Sequence, residues 1–500
     1  MTSDLSPLRI GSMVMSSTGR SLARMRALRA WLGYAAMLAA TGGLYVLVGW
    51  YGDRHLTAPL RQPGSQAFGD MLPAGHVDVF PHLLLALAVV VATTRGVGAV
   101  FKRFHQPAVV GEIFAGILLG PSLLGRTAPA VQAFLLPGSV APFLQVLAQV
   151  GVILFMFLVG VELDPALARR RGHATVVISH SSIIVPVLLG AALALALYPL
   201  LSSRDVPFMA FSLFLSVSMS VTAFPVLARI LADRGLQRSP LGVVALACAA
   251  VDDVTAWCLL AFVVGVVQAR GAHGLVTGAL ALAYIAAAFA IGRPLMARLA
   301  RRCEERGQLT QGVMALVLLA LLGSALATEL IGVHAVFGAF TVGAATPHNS
   351  RLARELTQKL EDLIVVLLLP AFFVYTGLRT QVGLLDSASD WLVCGVIIGV
   401  ASLGKFGGSA LAARLTGFSW RDSTSLGILM NTRGLMELIV LNVGFELRVV
   451  SPALYAMLVL MALVTTFATT PVLYALSNSP AATTAPESGK TASQGTGLTS

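Results

Sequence analysis

Two adjacent aspartates, Asp252 and Asp253, lie inside a long apolar segment of the chain. From Ser239 to Val267 the sequence reads SPLGVVALACAAVDDVTAWCLLAFVVGVV, and apart from the two aspartates this stretch carries no charge. It is long enough to cross a bilayer, where a charged side chain at the helix centre costs about 2.5–3.5 kcal/mol. Ionisable residues inside membrane segments are characteristic of ion and proton pathways. We therefore predict that this pair forms an ion or proton site.

Two other apolar segments carry polar and helix-breaking residues. In FLSVSMSVTAFPVLARIL (214–231), hydroxyl residues precede Pro225, which removes a backbone donor and clashes with the preceding turn, so a break is expected between Ser220 and Pro225. In LGILMNTRGLMELIVLNVG (426–444), an unwound turn is expected near the polar run, which consists of Asn431, Thr432, Arg433 and Gly434 and is followed by Glu437. Two broken helices in corresponding positions of a membrane protein indicate a transport site.

Lys405 is a lysine placed deep inside an apolar run, ASLGKFGGSALAARL. It lies too far from the end of that run for its ammonium to reach the membrane interface easily. We predict a salt bridge between Lys405 and Asp252 or Asp253. We expect the carboxylate of Glu437 to neutralise the nearby Arg433.

The composition places these residues in a polytopic membrane protein. Of the 500 residues, 56% are hydrophobic and 11% are charged, whereas a soluble domain carries about 25% charged residues. The net charge of +11 does not indicate nucleic-acid binding, because the basic residues lie in short loops between apolar runs. With the N-terminus in the cytoplasm, the cytoplasmic segments hold 25 of the 34 lysines and arginines.

Apolar runs of membrane-spanning length set the domain organisation. Residues 1–79 are interpreted as a cytoplasmic N-terminus, a signal-anchor helix and an outer linker; residues 80–476 form the membrane domain; residues 477–500 form a disordered cytoplasmic tail. Fourteen runs are found, near residues 30–51, 80–101, 106–124, 142–161, 174–200, 207–229, 240–268, 274–294, 310–330, 333–347, 360–380, 391–413, 422–446 and 452–476.

Weak internal symmetry relates the two halves of the membrane domain. VGEIFAGILLGP (110–121) resembles FGAFTVGAATP (337–347), and FMFLVGVELD (155–164) resembles FFVYTGLRTQ (372–381), with glycines at matching positions. The members of each pair run in opposite directions through the membrane. Two six-helix inverted repeats, the arrangement typical of secondary transporters, are therefore predicted.

A carboxylate that is alternately open to each side and binds either a proton or a small cation would perform exchange. Carboxylate, hydroxyl and unwound carbonyl oxygens are the ligands that hard monovalent cations prefer. The chain lacks a GxxxxGK[ST] phosphate-binding loop, so ATP-driven transport is unsupported. The prediction is a transporter rather than an enzyme, without a cofactor.

These motifs make the chain similar to the monovalent cation:proton antiporters of the Kef-type and plant cation/proton-exchanger superfamily. The matching stretches are PAVVGEIFAGILLGPSLLG (107–125), SVTAFPVLARIL (220–231), VDDVTAWCLLA (251–261), PAFFVYTGLRT (370–380) and NTRGLMELIVLNVG (431–444). The resemblance implies an all-α fold with two crossing broken helices, an elevator-like movement and a homodimer in the plasma or inner membrane. It also implies that Asp253 binds the cation and the proton, that Asp252 pairs with Lys405 in the empty site, and that Thr222 adds a ligand.

Ion choice and some alternatives stay open at this point. The Asp-Asp pair with a lysine resembles the sodium/proton members of the superfamily. The sequences VDDVTAW and NTRGLMEL instead resemble its potassium-handling branch. Many Kef-type relatives continue into a nucleotide-binding domain, and none is expected here. A cation channel, an ion-sensing protein that moves nothing, and a symporter for an organic solute on the same scaffold are the alternatives.

Overall fold

The computed structural model describes residues 17–58, 79–104, 106–162, 172–237, 239–268 and 273–477. These residues form helices and no β-strand. In chain order the helices are α1 (Ser17–His55), α2 (Val79–Arg103), α3 (Ala108–Leu119), α4 (Leu124–Thr127), α5 (Pro129–Leu135), α6 (Ala141–Glu162), α7 (Gly172–Leu201), α8 (Phe208–Ser220), α9 (Phe224–Asp233), α10 (Pro240–Gln268), α11 (His273–Ala287), α12 (Arg293–Arg306), α13 (Gln311–Ile331), α14 (Ala335–Ala345), α15 (Arg351–Leu363), α16 (Leu369–Arg379), α17 (Ala388–Leu415), α18 (Trp420–Met430), α19 (Leu435–Glu446) and α20 (Pro452–Ser477).

The prediction of an all-helical polytopic membrane protein is confirmed. Twelve helical stretches in the described residues are long and apolar enough to cross a membrane, and the bent pair α18 and α19 makes a thirteenth. The predicted run at 333–347 differs, because its helix α14 has only 11 residues. Such a helix is about 16 Å long, roughly half of the hydrocarbon thickness of a bilayer.

Part of the predicted domain organisation lies outside the described residues. This applies to residues 1–16, to most of the outer linker (59–78) and to the tail from residue 478 onward. The helix α1, whose residues 35–55 are apolar enough to span, packs against α7 and α8. The Tyr45 hydroxyl lies 3.0 Å from the Ser212 hydroxyl of α8.

Both predicted helix breaks are confirmed. The chain leaves the helical conformation between Ser220, the last residue of α8, and Phe224, the first of α9, with Pro225 in the first turn of α9. Proline fits there because the first N–H groups of a helix have no intrahelical acceptor. The second break separates α18 from α19, which are inclined by 43°, and spans residues 431–434.

The glycines that suggested the inverted repeat make two equivalent close crossings. At the first crossing, a Cβ on Gly377 of α16 would lie 2.1 Å from the carbonyl carbon of Gly116 of α3. At the second, a Cβ on Gly343 of α14 would lie 2.1 Å from the carbonyl oxygen of Phe157, beside Gly160 of α6. Gly116 corresponds to Gly343, and Gly377 to Gly160, in the sequence alignment of the halves. The crossings are thus related in the way that an inverted repeat requires.

Gly343→Ala should lower the melting temperature of the purified protein by several degrees. The new methyl group meets backbone rather than a movable side chain, and overpacking of this kind costs about 1–3 kcal/mol. The matched control is Gly323→Ala on α13, where nothing lies within 4 Å of the added Cβ. Equal melting curves for the two variants would contradict the close-crossing interpretation.

Candidate ion-binding site

Asp252 is held by four donors, which come from α7, from α17 and from the break between α8 and α9. Its Oδ1 accepts a hydrogen bond from the Ser179 hydroxyl at 2.5 Å, and its Oδ2 accepts from the hydroxyls of Ser182 at 2.5 Å and Thr222 at 2.8 Å. The Lys405 ammonium of α17 lies 3.0 Å from the same Oδ2. Both charged side chains of this pair are completely buried. The carboxylate of Asp252 therefore has its charge and its lone pairs satisfied by protein groups.

Lys405 also binds a terminal carbonyl group of the broken helix α8. Besides the bond to Asp252, its Nζ donates to the carbonyl oxygen of Ser182 at 3.1 Å and to that of Ser220, the last residue of α8. The last carbonyls of a helix have no intrahelical donor and carry the negative end of the helix dipole. A buried ammonium at this end is stabilised by the same groups that it satisfies.

Arg433, in the second break, acts on the same helix end. Its Nη1 donates to the Ser218 carbonyl at 2.8 Å, and its Nη2 donates to the Met219 carbonyl at 2.7 Å. Its Nη1 also lies 3.2 Å from Oε2 of Glu437, one turn into α19. The predicted local pairing of Arg433 with Glu437 is thus present, but the sequence did not indicate that Arg433 joins the two breaks.

The two breaks are further joined through their backbones. The Ala223 N–H donates to the Thr432 carbonyl at 3.0 Å, and the Thr222 hydroxyl lies 3.2 Å from the Met430 carbonyl. Thr466 of α20 satisfies both backbone groups of Arg433, as acceptor of its N–H at 2.9 Å and donor to its carbonyl at 2.7 Å. The unwound segments therefore cross at a point where their polar groups pair with each other and with α20.

Asp253 has no such partners. Its side chain is only 3% exposed, and neither carboxylate oxygen receives a hydrogen bond from any described residue. It borders a narrow space with no room for a water molecule, which is lined otherwise by Val221, Ala256, Trp257, Met436 and Val440. A buried carboxylate in apolar surroundings is strongly unfavourable unless a proton or a cation neutralises it. The two neighbouring aspartates are therefore in opposite situations.

The remaining predicted residues have supporting positions. The Ser220 hydroxyl donates to the Val217 carbonyl within α8, so only the Ser220 carbonyl takes part in the site. In the second break, the Thr432 hydroxyl donates to the Leu429 carbonyl, and Asn431 follows the last turn of α18. Gly434 packs closely on Val226 of α9.

Ser179 and Ser182 are site residues that the sequence analysis missed. They lie three residues apart on α7, and both donate to Asp252. The available signal was the polar run in ISHSSII (178–184), an interruption of an otherwise apolar helix. Residues at this spacing share one helix face. Thr466 was also missed, and its only signal was the threonine-rich stretch of α20.

An open cavity of about 480 Å³ lies near the site but does not include Asp253. On α10 it is lined by Val264, three turns beyond Asp253, and on α19 by Ile439 and Val443, which flank Val440 at the Asp253 space. Polar groups line it as well, among them Glu329, Asn442 and Glu446. The cavity and the space beside Asp253 thus share α10 and α19 as walls but have no lining residue in common.

Known proteins resemble this chain over most of its length. The family model for the transmembrane part of sodium/hydrogen exchangers matches residues 86–475. The chain is 42% identical over 404 residues to the Na⁺/H⁺ antiporter NhaS4 of Synechocystis, covering 80% of this chain and 98% of that one. It is 37% identical to cation/H⁺ antiporter 19 of Arabidopsis thaliana, covering 83% of this chain and 52% of the relative.

Two further comparisons concern the cation and the fold. The K⁺/H⁺ antiporter 1 of Saccharomyces cerevisiae is 35% identical over 384 residues, which are 74% of this chain and 44% of the yeast protein. The solved structure of the sodium proton antiporter MjNhaP1 from Methanocaldococcus jannaschii has a similar fold, with a TM-score of 0.56 at 15% identity, covering 79% of this chain and 97% of that one. Because the family model matches residues 86–475, well over half of the chain, the chain belongs to the sodium/hydrogen exchanger family of membrane proteins.

Proposed function

We propose that this protein exchanges a monovalent cation, Na⁺ or K⁺, for protons across a membrane, with proton and cation competing for Asp253. The observation that carries the proposal is the contrast between the two aspartates. Asp252 has four donors, whereas Asp253 is buried without a hydrogen bond from the described residues. One carboxylate that binds a proton or a cation, never both, couples their movements in opposite directions.

The names of the relatives support exchange of a monovalent cation for protons and do not decide between Na⁺ and K⁺. NhaS4 is named a Na⁺/H⁺ antiporter and the yeast relative a K⁺/H⁺ antiporter. Such ions prefer oxygen ligands. Val221 of the first break lines the space beside Asp253, and the next residue, Thr222, carries a hydroxyl that contacts Asp252. We assign Asp253 as the primary ligand and Thr222 as a supporting residue.

Alternating access is proposed to occur by an elevator-like movement of one group of helices against another. The polar contacts of Asp252, Lys405 and Arg433 join α7, α8, α10, α17, α19 and α20 into one group. The close glycine crossings join α3 to α16 and α6 to α14 in a second group. Strong cohesion within each group favours sliding between them over deformation of either.

The assembly and the location are proposed from the resemblance alone. We expect a homodimer in the plasma membrane or bacterial inner membrane. Cross-linking in native membranes and fractionation would test both.

Asp253→Asn should abolish exchange and leave a folded protein. Purified protein is reconstituted into liposomes that contain a pH-sensitive dye, and Na⁺, K⁺ or Li⁺ is added outside. Wild type should show cation-dependent alkalinisation of the interior, and Asp253→Asn should show the rate of protein-free liposomes, because the amide cannot exchange a proton for a cation. Asp386→Asn, at an exposed position before α17, is the matched control.

Three outcomes of the same experiment would count against the proposal. Wild-type exchange in Asp253→Asn would disprove the site assignment. No cation-dependent flux from folded wild type would favour the ion-sensing or organic-solute alternatives, and cation flux without proton coupling would favour a channel.

Lys405→Ala should destabilise the protein more than any exposed lysine substitution. Removing one partner of a buried ion pair leaves the other charge uncompensated, at a cost of about 3–5 kcal/mol. The control is Lys359→Ala, at an exposed lysine that donates one hydrogen bond to the Leu309 carbonyl. This change should shift the melting temperature little. The double variant Asp252→Asn with Lys405→Met should be less destabilised than the sum of its single changes. Additive effects in that cycle would contradict the pairing.

A further inference from the structure

Trp257 shares the narrow space beside Asp253, and its indole N–H has no acceptor among the residues that the structure describes. The side chain is 4% exposed, and Nε1 is buried without a hydrogen-bond partner among the described residues. A buried polar group left unpaired costs about 1–3 kcal/mol. The two unpaired groups in this space are thus an acceptor, the Asp253 carboxylate, and a donor, the Trp257 indole.

Helix geometry brings these two groups to the same face of α10. They are four residues apart, a spacing that puts their Cβ atoms about 5–6 Å from each other. Side chains of an α-helix lean toward its N-terminus, so the Trp257 ring leans toward the turn that carries Asp253. The indole and the carboxylate therefore lie on adjacent turns of one helix face and border the same space.

The surroundings of Asp253 limit the other groups that could serve this carboxylate. Of the side chains that line the space, only that of Trp257 carries a hydrogen-bond donor, and the space does not admit water in this conformation. The Phe224 backbone N–H at the start of α9 also faces Asp253, but it makes no hydrogen bond of normal geometry with the carboxylate. The charged groups nearby, Asp252 with Lys405 and Arg433 with Glu437, are already paired with each other.

We propose that the Trp257 indole N–H is an internal competitor of the cation: it donates to the Asp253 carboxylate when no cation is bound and withdraws when the cation binds. This inference rests on the proposed function, since it assumes that Asp253 binds the transported cation. A donor of this kind stabilises the empty carboxylate and so weakens cation binding. It also assists release, because the departing cation is replaced by a group already in place.

Trp257→Phe should therefore tighten cation binding, the reverse of what damage to a binding site produces. The cation concentration for half-maximal exchange in the liposome assay should fall about tenfold, since a hydrogen bond to a charged group contributes on that order. The maximal rate should fall because release is slower. Trp391→Phe, at a half-exposed position on α17, should leave both quantities unchanged.

Two additional measurements separate this inference from the proposed function. β-(3-Benzothienyl)alanine at position 257 keeps the bicyclic shape without the N–H, and should give the same tightening even where phenylalanine perturbs folding. Cation-dependent thermal stabilisation in detergent reports binding without transport. If wild type binds cations but exchanges none, the proposed function fails while the binding comparison still tests Trp257.

The inference is overturned if removal of the N–H leaves the half-maximal cation concentration unchanged or raises it. It is also overturned if no cation stabilises folded wild type. A tightening that is equal in Trp391→Phe would show a general effect of tryptophan loss and would likewise overturn it.

Discussion

The carboxyl end of α8 is a helix end buried at membrane depth, and the site is built around the need to satisfy it. In water, solvent would bind the last carbonyls of such a helix. Here Arg433 binds those of Ser218 and Met219, and Lys405 binds that of Ser220. Unpaired carbonyls in a lipid environment would cost several kcal/mol each. The break between α8 and α9 therefore depends on the cationic side chains of Arg433 and Lys405.

The buried side chains of Lys405 and Arg433 in turn require anionic partners. This requirement explains why Asp252 and Glu437 lie beside them. Asp252 is bound to Lys405, and Glu437 is adjacent to Arg433. Each pair is completely buried, and further hydrogen bonds to its members offset the cost of burying the charges. Ser179, Ser182 and Thr222 supply them for Asp252. Successive residues of a helix point about 100° apart, so Asp253 faces away from this network and toward the narrow space with Trp257.

The parts of this architecture that the sequence predicted are those that depend on local chemistry. Pro225 and Gly434 interrupt apolar runs, and both interruptions are helix breaks in the structure. Lys405 required an anionic partner, and few embedded acids were available. Contacts between distant positions were not predictable in this way. Ser179 lies 73 residues from Asp252, and Arg433 lies 215 residues from Ser218. Serine and threonine also commonly bond to their own helix, as Ser218 and Thr465 do, so their presence in a membrane helix identifies no partner.

The pairing of charges at the site has a consequence for the response of the protein to membrane potential. With their ordinary charges, Asp252 and Lys405 cancel, as do Arg433 and Glu437, which leaves Asp253 as the one unbalanced charge among these five buried groups. In the proposed exchange a proton or a monovalent cation neutralises Asp253, and the loaded site then carries no net charge. A transmembrane voltage would then do no work on the loaded site during the proposed movement, in either direction. Exchange of one cation for one proton through Asp253 alone would be driven only by the two concentration gradients.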